Sequence, residues 1–169
     1  MGSRMKPLEP PDSLHLQAAQ GWLELGSHSE ANEELEKITP ELRAHPEVLK
    51  VRWGVYAAAK RWEATLDIAA ALIQLDPEDP LGWANRSYAL HELKRTAEAR
   101  DNLLRVVDKF PSSATMRYNL ACYECQLGRL EQAKEWLAKA FKLGEAKKMK
   151  QAALDDPDLE PLWEKIGEI

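Results

Sequence analysis

Residues 80–113, PLGWANRSYALHELKRTAEARDNLLRVVDKFPSS, decide the fold because they contain two amphipathic helical patterns separated by a tight turn. The turn is predicted at residues 94–96, and Phe110-Pro111 is expected to end the second helix. The apolar stripes comprise Trp83, Ser87 and Leu90 in the first helix and Ala99, Leu103 and Val106 in the second. A helical hairpin this short cannot bury both stripes alone, so it predicts neighbours like itself.

The same pattern recurs every 34 residues without a gap, which gives four units at residues 12–45, 46–79, 80–113 and 114–145. Three columns of the second helix stay small or apolar: Ala31, Thr65, Ala99 and Ala133; Leu35, Ala69, Leu103 and Leu137; Ile38, Leu72, Val106 and Ala140. The turn column reads Gly26, Lys60, Lys94 and Gly128. Agreement of several columns at one period predicts an array of stacked helical hairpins.

The two ends of the chain depart from the repeat. Residues 1–11 hold three prolines and predict a flexible lead-in. Residues 146–169 predict two capping helices, near 145–154 and 158–167, that break at Asp156-Pro157. Apolar residues of this cap are expected to cover the exposed end of the array: Leu154, Leu159, Leu162, Trp163 and Ile166. Because no stretch alternates as a strand would, we expect an all-α fold without a β-sheet.

Composition narrows the function classes. The 169 residues are 44% apolar, enough for one domain with a substantial core. The 23 basic and 28 acidic residues give a net charge of −5, which does not favour nucleic acid or an anionic membrane as partner. No apolar run approaches the roughly 18 residues of a membrane span. Two cysteines and no hydrophobic N-terminal stretch predict a cytoplasmic protein.

The repeat columns resemble the tetratricopeptide repeat family, a 34-residue helix–turn–helix with the pattern W-x₂-L-G-x₂-Y, then A-x₃-F, then P. The fourth unit matches best, at Tyr118, Asn119, Leu120, Ala121, Gly128, Ala133, Leu137 and Ala140. The resemblance covers about residues 12–145. It implies a right-handed superhelix whose first helices line a concave groove, and that groove binds a peptide or protein segment.

By position, the resemblance places nine residues in the groove: Leu16, Gln20, Lys50, Gly54, Asn85, Tyr88, Tyr118, Asn119 and Cys122. Six of them form the predicted peptide-binding site: Lys50, Asn85, Tyr88, Tyr118, Asn119 and Cys122. A narrower pattern in the family, the carboxylate clamp, needs two Lys, an Arg and two Asn. Lys50 and Asn85 match two of these positions, but Gly54, Thr115 and Asn119 do not supply the others. A clamp is therefore not expected.

Candidate reactive groups have simpler explanations. Cys122 and Cys125 form a C-x-x-C sequence in mid-helix, whereas a thioredoxin-like site begins a helix that follows a strand. A structural zinc site needs four ligands, and the four histidines occur singly. His91 is expected near the groove rim with no evident partner. Without a recognisable catalytic or nucleotide-binding motif, we expect no catalytic residue, cofactor or metal.

These observations favour a non-catalytic scaffold that binds an as yet unidentified protein or peptide. A small acidic chaperone or co-chaperone for a client protein is the alternative, since such chaperones are similar in size and charge. A third hypothesis is an assembly protein that dimerises through its exposed end. We expect a monomer or a weak homodimer, with no nucleic acid and no membrane as partner.

Overall fold

The structure, a computed structural model, describes residues 5–169, so the first four residues of the predicted lead-in lie outside it. Nine α-helices occur in the described chain: α1 Asp12–Glu24, α2 His28–Glu36, α3 Pro46–Ala58, α4 Trp62–Leu75, α5 Pro80–Glu92, α6 Thr96–Leu104, α7 Ala114–Gln126, α8 Leu130–Leu143 and α9 Ala146–Asp155. Three 3₁₀ segments accompany them: Pro40–Leu42, Val107–Lys109 and Pro157–Glu168. These residues contain no strand, which confirms the predicted all-α class.

The predicted turn column adopts one conformation four times. Its residues all have positive φ: Gly26 77°, Lys60 55°, Lys94 63° and Gly128 77°. The residue after each donates its N–H to the carbonyl five residues back, from Ser27 to Trp22, Arg61 to Tyr56, Arg95 to Leu90 and Arg129 to Glu124. These bonds define the Schellman motif, which ends a helix by a left-handed residue. The 34-residue period therefore corresponds to a repeated helix stop.

The three second-helix columns are buried in all four hairpins. None of their twelve residues is more than 5% exposed, and the small column of Ala31, Thr65, Ala99 and Ala133 is fully buried. Small side chains at this position let the two helices of a hairpin approach closely. Thr65 satisfies its hydroxyl internally by donating to the carbonyl of Trp62 at 2.6 Å.

The helices divide into two compact units, one ending at Gly82 and one beginning at Trp83. The first unit has a core formed by eight buried residues: Leu16, Ala19, Ala31, Leu35, Ile38, Val48, Val51 and Val55. Asp12, buried at the start of α1, accepts hydrogen bonds from the backbone N–H and the hydroxyl of Thr39 at 2.7 and 3.0 Å. These bonds hold the start of α1 against the segment that follows α2.

In the second unit α6 is shorter than predicted, because it ends at Leu104 rather than near Phe110. Val106 and Val107 are adjacent in sequence and both buried. One narrow stripe of a straight α-helix does not accommodate two adjacent residues equally well. The backbone leaves helical geometry at Val106 (φ −125°, ψ −11°) before the 3₁₀ segment Val107–Lys109, and this break lets both valines face the core.

The C-terminal region breaks at Asp156-Pro157 as predicted, but its second segment is a 3₁₀ helix of 12 residues. Leu159, Leu162 and Ile166 are at most 1% exposed. The expectation for Leu154 was wrong, since it is 41% exposed. Its neighbour Ala153 faces the core instead, because the register of α9 turns Leu154 outward. No described helix is both long enough and apolar enough to cross a membrane.

Candidate functional site

The C-terminal tail, residues 156–169, packs against α7 in the second unit. Eight residues of α7 are buried, including the consecutive run from Leu120 to Cys125. A helix with partners on one face only would bury a single stripe. Because α8 and the tail both pack on it, α7 is covered on more than one side. The tail thereby contacts the helix that the resemblance assigns to the groove.

Two predicted groove residues have polar partners in this tail. The Tyr118 hydroxyl donates to Asp156 Oδ2 at 2.9 Å, and the Cys122 thiol lies 3.6 Å from the same oxygen. Asp156 Oδ1 accepts the N–H of Asp158, which caps the 3₁₀ helix. Tyr118 and Cys122 therefore hold the chain's own C-terminus.

His91 also has partners, contrary to the expectation from the sequence. It is buried, and its Nε2 lies 2.7 Å from Asp158 Oδ2. Its Nδ1 lies 2.9 Å from the Thr96 hydroxyl. Gln126 adds a hydrogen bond from its side-chain amide to the carbonyl of Asp158 at 2.9 Å. Both edges of the imidazole are thus engaged, so the residue anchors the tail.

Cys122, Asp156 and Asp158 form the described group that comes nearest to a metal site, with ligand atoms within 4.8 Å of one another. Their atoms already take part in the hydrogen bonds with Tyr118 and His91. Burial, assisted by the two aspartates, raises the pKa of the Cys122 thiol. A thiol that stays protonated is a poor metal ligand and a poor nucleophile, so these contacts support a structural role.

Three further residues of the predicted peptide-binding site lie on α5 and α7, and they differ in solvent exposure. Tyr88 is 42% exposed, whereas Asn85 and Asn119 are half-buried. Burial, followed by the charge of Glu92, raises the pKa of the Tyr88 hydroxyl. Their assignment to a peptide-binding surface remains a prediction.

The first unit contains an open cavity of about 740 Å³ between α1 and α3, here named the α1–α3 groove. Leu16, Leu23 and Val51 form an apolar floor. The other lining residues are Pro7, Leu8, Ser13, Gln17, Gln20, Glu24, Glu47 and Lys50. Leu16, Gln20 and Lys50 were predicted groove residues. Gln17, Glu24 and Glu47 were missed because the family pattern assigns ligand contacts to fewer positions.

Gly54, another predicted groove residue, packs against α1. A Cβ added there would lie 2.8 Å from Leu23 Cδ2, so the glycine permits a close approach of the two helices. This contact also orients them, because residue 54 of α3 lies beside residue 23 of α1. The groove therefore runs along both helices from Ser13 and Glu47 towards Glu24.

Lys50 is the one basic residue that lines the α1–α3 groove among the described residues, and it is already paired. Its Nζ lies 2.8 Å from Asp79 Oδ2. Burial raises the pKa of Asp79, but the lysine and the N–H of Leu81 outweigh this and lower it overall. Lys50 therefore has less charge to offer a ligand than its position suggests, which weighs further against a carboxylate clamp.

Comparison with known proteins shows similarity in fold. The solved structure MamA MSR-1 C2 matches with a TM-score of 0.64 at 19% identity, covering 80% of this chain and 78% of that one. MamA RS-1 ArsTM double mutant matches at 0.68 and 15% identity, covering 83% and 79%. A crystal structure of MamA protein matches at 0.68 and 13% identity, covering 93% and 86%. The chain thus has the helical fold of these structures, a tetratricopeptide-like repeat.

No protein-family profile matches the chain, and no curated protein matches it in sequence.

Proposed function

We propose that this chain is a non-catalytic protein-interaction module of the tetratricopeptide repeat family, and that a partner segment binds in the α1–α3 groove. The observation that carries the proposal is the composition of this groove, an apolar floor bordered by polar side chains. Ligand sites in proteins combine these features in cavities of about 300–1,000 Å³. The cavity of about 740 Å³ lies in this range.

The tail supports placing the site in the first unit. Leu159, Leu162 and Ile166 are buried, and each such side chain contributes about 1.5–3 kcal/mol. Exposing all three side chains by detaching the tail from α7, α8 and α9 would therefore cost roughly 5 kcal/mol or more. A ligand that binds α7 would first have to overcome this cost, whereas a ligand of the α1–α3 groove would not.

The proposal keeps the division of the chain inferred from its sequence. Residues 12–45, 46–79, 80–113 and 114–145 are four repeats, residues 1–11 are a lead-in, and residues 146–169 are a cap. In this scheme the first helices of the first two repeats supply the binding surface. The cap protects the last repeat.

The test begins with a peptide library displayed on phage and selected on the full chain. Selected peptides are then measured against Gln20→Trp, which fills the middle of the groove with an indole. Gln74→Trp is the matched control, because Gln74 is also an exposed helical glutamine but does not line the groove. We expect Gln20→Trp to weaken binding at least tenfold and Gln74→Trp to leave it unchanged.

Circular dichroism establishes that both variants remain helical. Peptides that bind Gln20→Trp as tightly as the unmodified chain would refute the proposed site, as would a selection that yields no binding peptide.

A further inference from the structure

Acidic residues are concentrated in the half of the chain that carries the groove. Residues 1–82 contain 8 basic and 14 acidic residues, whereas residues 83–169 contain 15 and 14. The net charge of −5 therefore originates in the first half. Such a charge attracts a cationic partner and steers its approach.

Two glutamates mark the ends of the α1–α3 groove. Glu24 lies at one end, next to the contact between Leu23 and Gly54. Glu47 precedes Gly54 by seven residues on α3, which corresponds to about 10 Å along the helix. Along the groove axis the two residues are thus offset by about 10 Å.

Neither glutamate is neutralised by a cation in the described chain. Glu24 has no ion pair among the described residues, and the nearest basic atom to Glu47 is His45 Nδ1 at 3.8 Å. That nitrogen accepts the backbone N–H of Glu47, and Nε2 lies 3.0 Å from the carbonyl oxygen of Lys6. Both ring nitrogens of His45 are thus engaged with the backbone, and Lys50 pairs with Asp79.

The middle of the groove offers groups for a peptide backbone. Gln17 and Gln20 lie one helical turn apart, are exposed, and make no hydrogen bond with the described residues. Each side-chain amide supplies two N–H donors and one carbonyl acceptor. An extended segment has unpaired N–H and C=O groups that need such partners, whereas the backbone of a helix is largely satisfied internally. The rim therefore favours an extended ligand.

We propose that the α1–α3 groove binds an extended, cationic segment in which two Lys or Arg side chains three residues apart flank an apolar side chain. Three residues of extended chain span about 10 Å, which matches the offset of Glu24 and Glu47 along the groove axis. The apolar side chain would pack on Leu16, Leu23 and Val51. This inference rests on the proposed function and adds the chemistry of the partner.

The probe is a fluorescent peptide with Lys-Leu-Ser-Lys between Gly-Ser flanks, titrated with the full chain and followed by fluorescence anisotropy. The comparison peptides carry Glu in place of both Lys, or both Lys separated by a single residue. We expect the first peptide to bind at least tenfold more tightly than either. We also expect its advantage to shrink as added salt shortens the Debye length from about 10 Å at 0.1 M to about 3 Å at 1 M.

The double variant Glu24→Gln with Glu47→Gln should weaken binding of the Lys peptide about tenfold, equivalent to about 1.4 kcal/mol. Glu33→Gln with Glu63→Gln is the matched control, since both residues are exposed helical glutamates outside the groove. It should leave binding unchanged. Equal effects of the two double variants, or equal binding of the Lys and Glu peptides, would overturn the inference.

Failure of this inference can be distinguished from failure of the proposed function. If library peptides bind in a manner sensitive to Gln20→Trp but carry neutral or acidic side chains, the groove functions as proposed and the cationic partner is wrong. If no peptide is sensitive to Gln20→Trp, both proposals are wrong.

Discussion

Glu124 is a buried carboxylate on α7, and its main partner is Arg100 on α6. Its side chain is only 2% exposed, and Arg100 Nε lies 2.6 Å from Oε1. Arg129 contributes a weaker approach, with Nε 3.8 Å from Oε2. Oε2 has no hydrogen-bond partner among the described residues. The pair therefore depends on Arg100, and removing this arginine leaves a poorly compensated buried charge.

We expect Arg100→Ala to lower the free energy of unfolding by about 3 kcal/mol. Breaking a buried ion pair typically costs about 3–5 kcal/mol, and the lower end applies because Arg129 remains and Arg100 is 21% exposed. Replacing both Arg100 and Glu124 by Met should be far less costly than Arg100→Ala, because it removes the charge together with its partner. The double variant is thus predicted to recover most of the loss.

The assay is urea unfolding followed by far-ultraviolet circular dichroism. Arg105→Ala is the control, since Arg105 is an exposed arginine near the end of the same helix and forms no ion pair with the described residues. It should change stability by less than about 0.5 kcal/mol. Two results would refute this prediction. One is that Arg100→Ala lowers the free energy of unfolding no more than Arg105→Ala does. The other is that the Arg100→Met, Glu124→Met double variant is less stable than Arg100→Met alone.

Three further predictions concern single side chains. Gly128→Ala should destabilise the chain by about 1 kcal/mol because φ is +77° there. Gly21→Ala should stabilise it by about 0.5–1 kcal/mol, because Gly21 lies within α1 and a Cβ there would meet open space. Unfolding temperatures that change in the same direction in both variants would contradict this prediction. Since burial raises the pKa of the Cys122 thiol, iodoacetamide at neutral pH should modify this thiol slowly in the folded chain and rapidly in urea, and fast modification of folded chain would refute the assignment. Lys50→Met should cost at most about 1 kcal/mol at pH 7. Folding lowers the pKa of Asp79, so the stability that its ion pair with Lys50 contributes is fully present above the ordinary pKa of 3.8 and is lost as the pH falls through the lower folded value. If the unmodified chain and the Lys50→Met variant still differ in stability below that pH, the ion pair is excluded as the cause.

The repeat itself could be predicted from the sequence because its signals are local. The second-helix columns such as Ala31 and Leu35 are buried at every recurrence, and the turn column has positive φ at every recurrence. Each signal lies within one or two helical turns. Side-chain size and backbone preference therefore specify it without knowledge of distant residues.

The candidate site could be predicted only in part. Leu16, Gln20 and Lys50 were assigned to a peptide groove by the family resemblance; all three line the α1–α3 groove, and their contact with a partner stays a prediction. Glu24 and Glu47 were not, because the family pattern assigns ligand contacts to fewer positions and a helical position does not reveal whether a carboxylate is neutralised. The pairing of Lys50 with Asp79, 29 residues later in the chain, was equally hidden from the sequence.

By itself, the sequence determined that this protein is an all-α array of helical hairpins, since periodicity and turn preference act over neighbouring residues. Only the tertiary structure shows that the C-terminal tail covers α7. Asp156 and Asp158 bind Tyr118 and His91, which lie 38 and 67 residues earlier in the chain. Such contacts join residues that are distant in the chain and become neighbours only after the helices have packed. They cover α7 and leave the groove between α1 and α3 as the candidate surface for a partner.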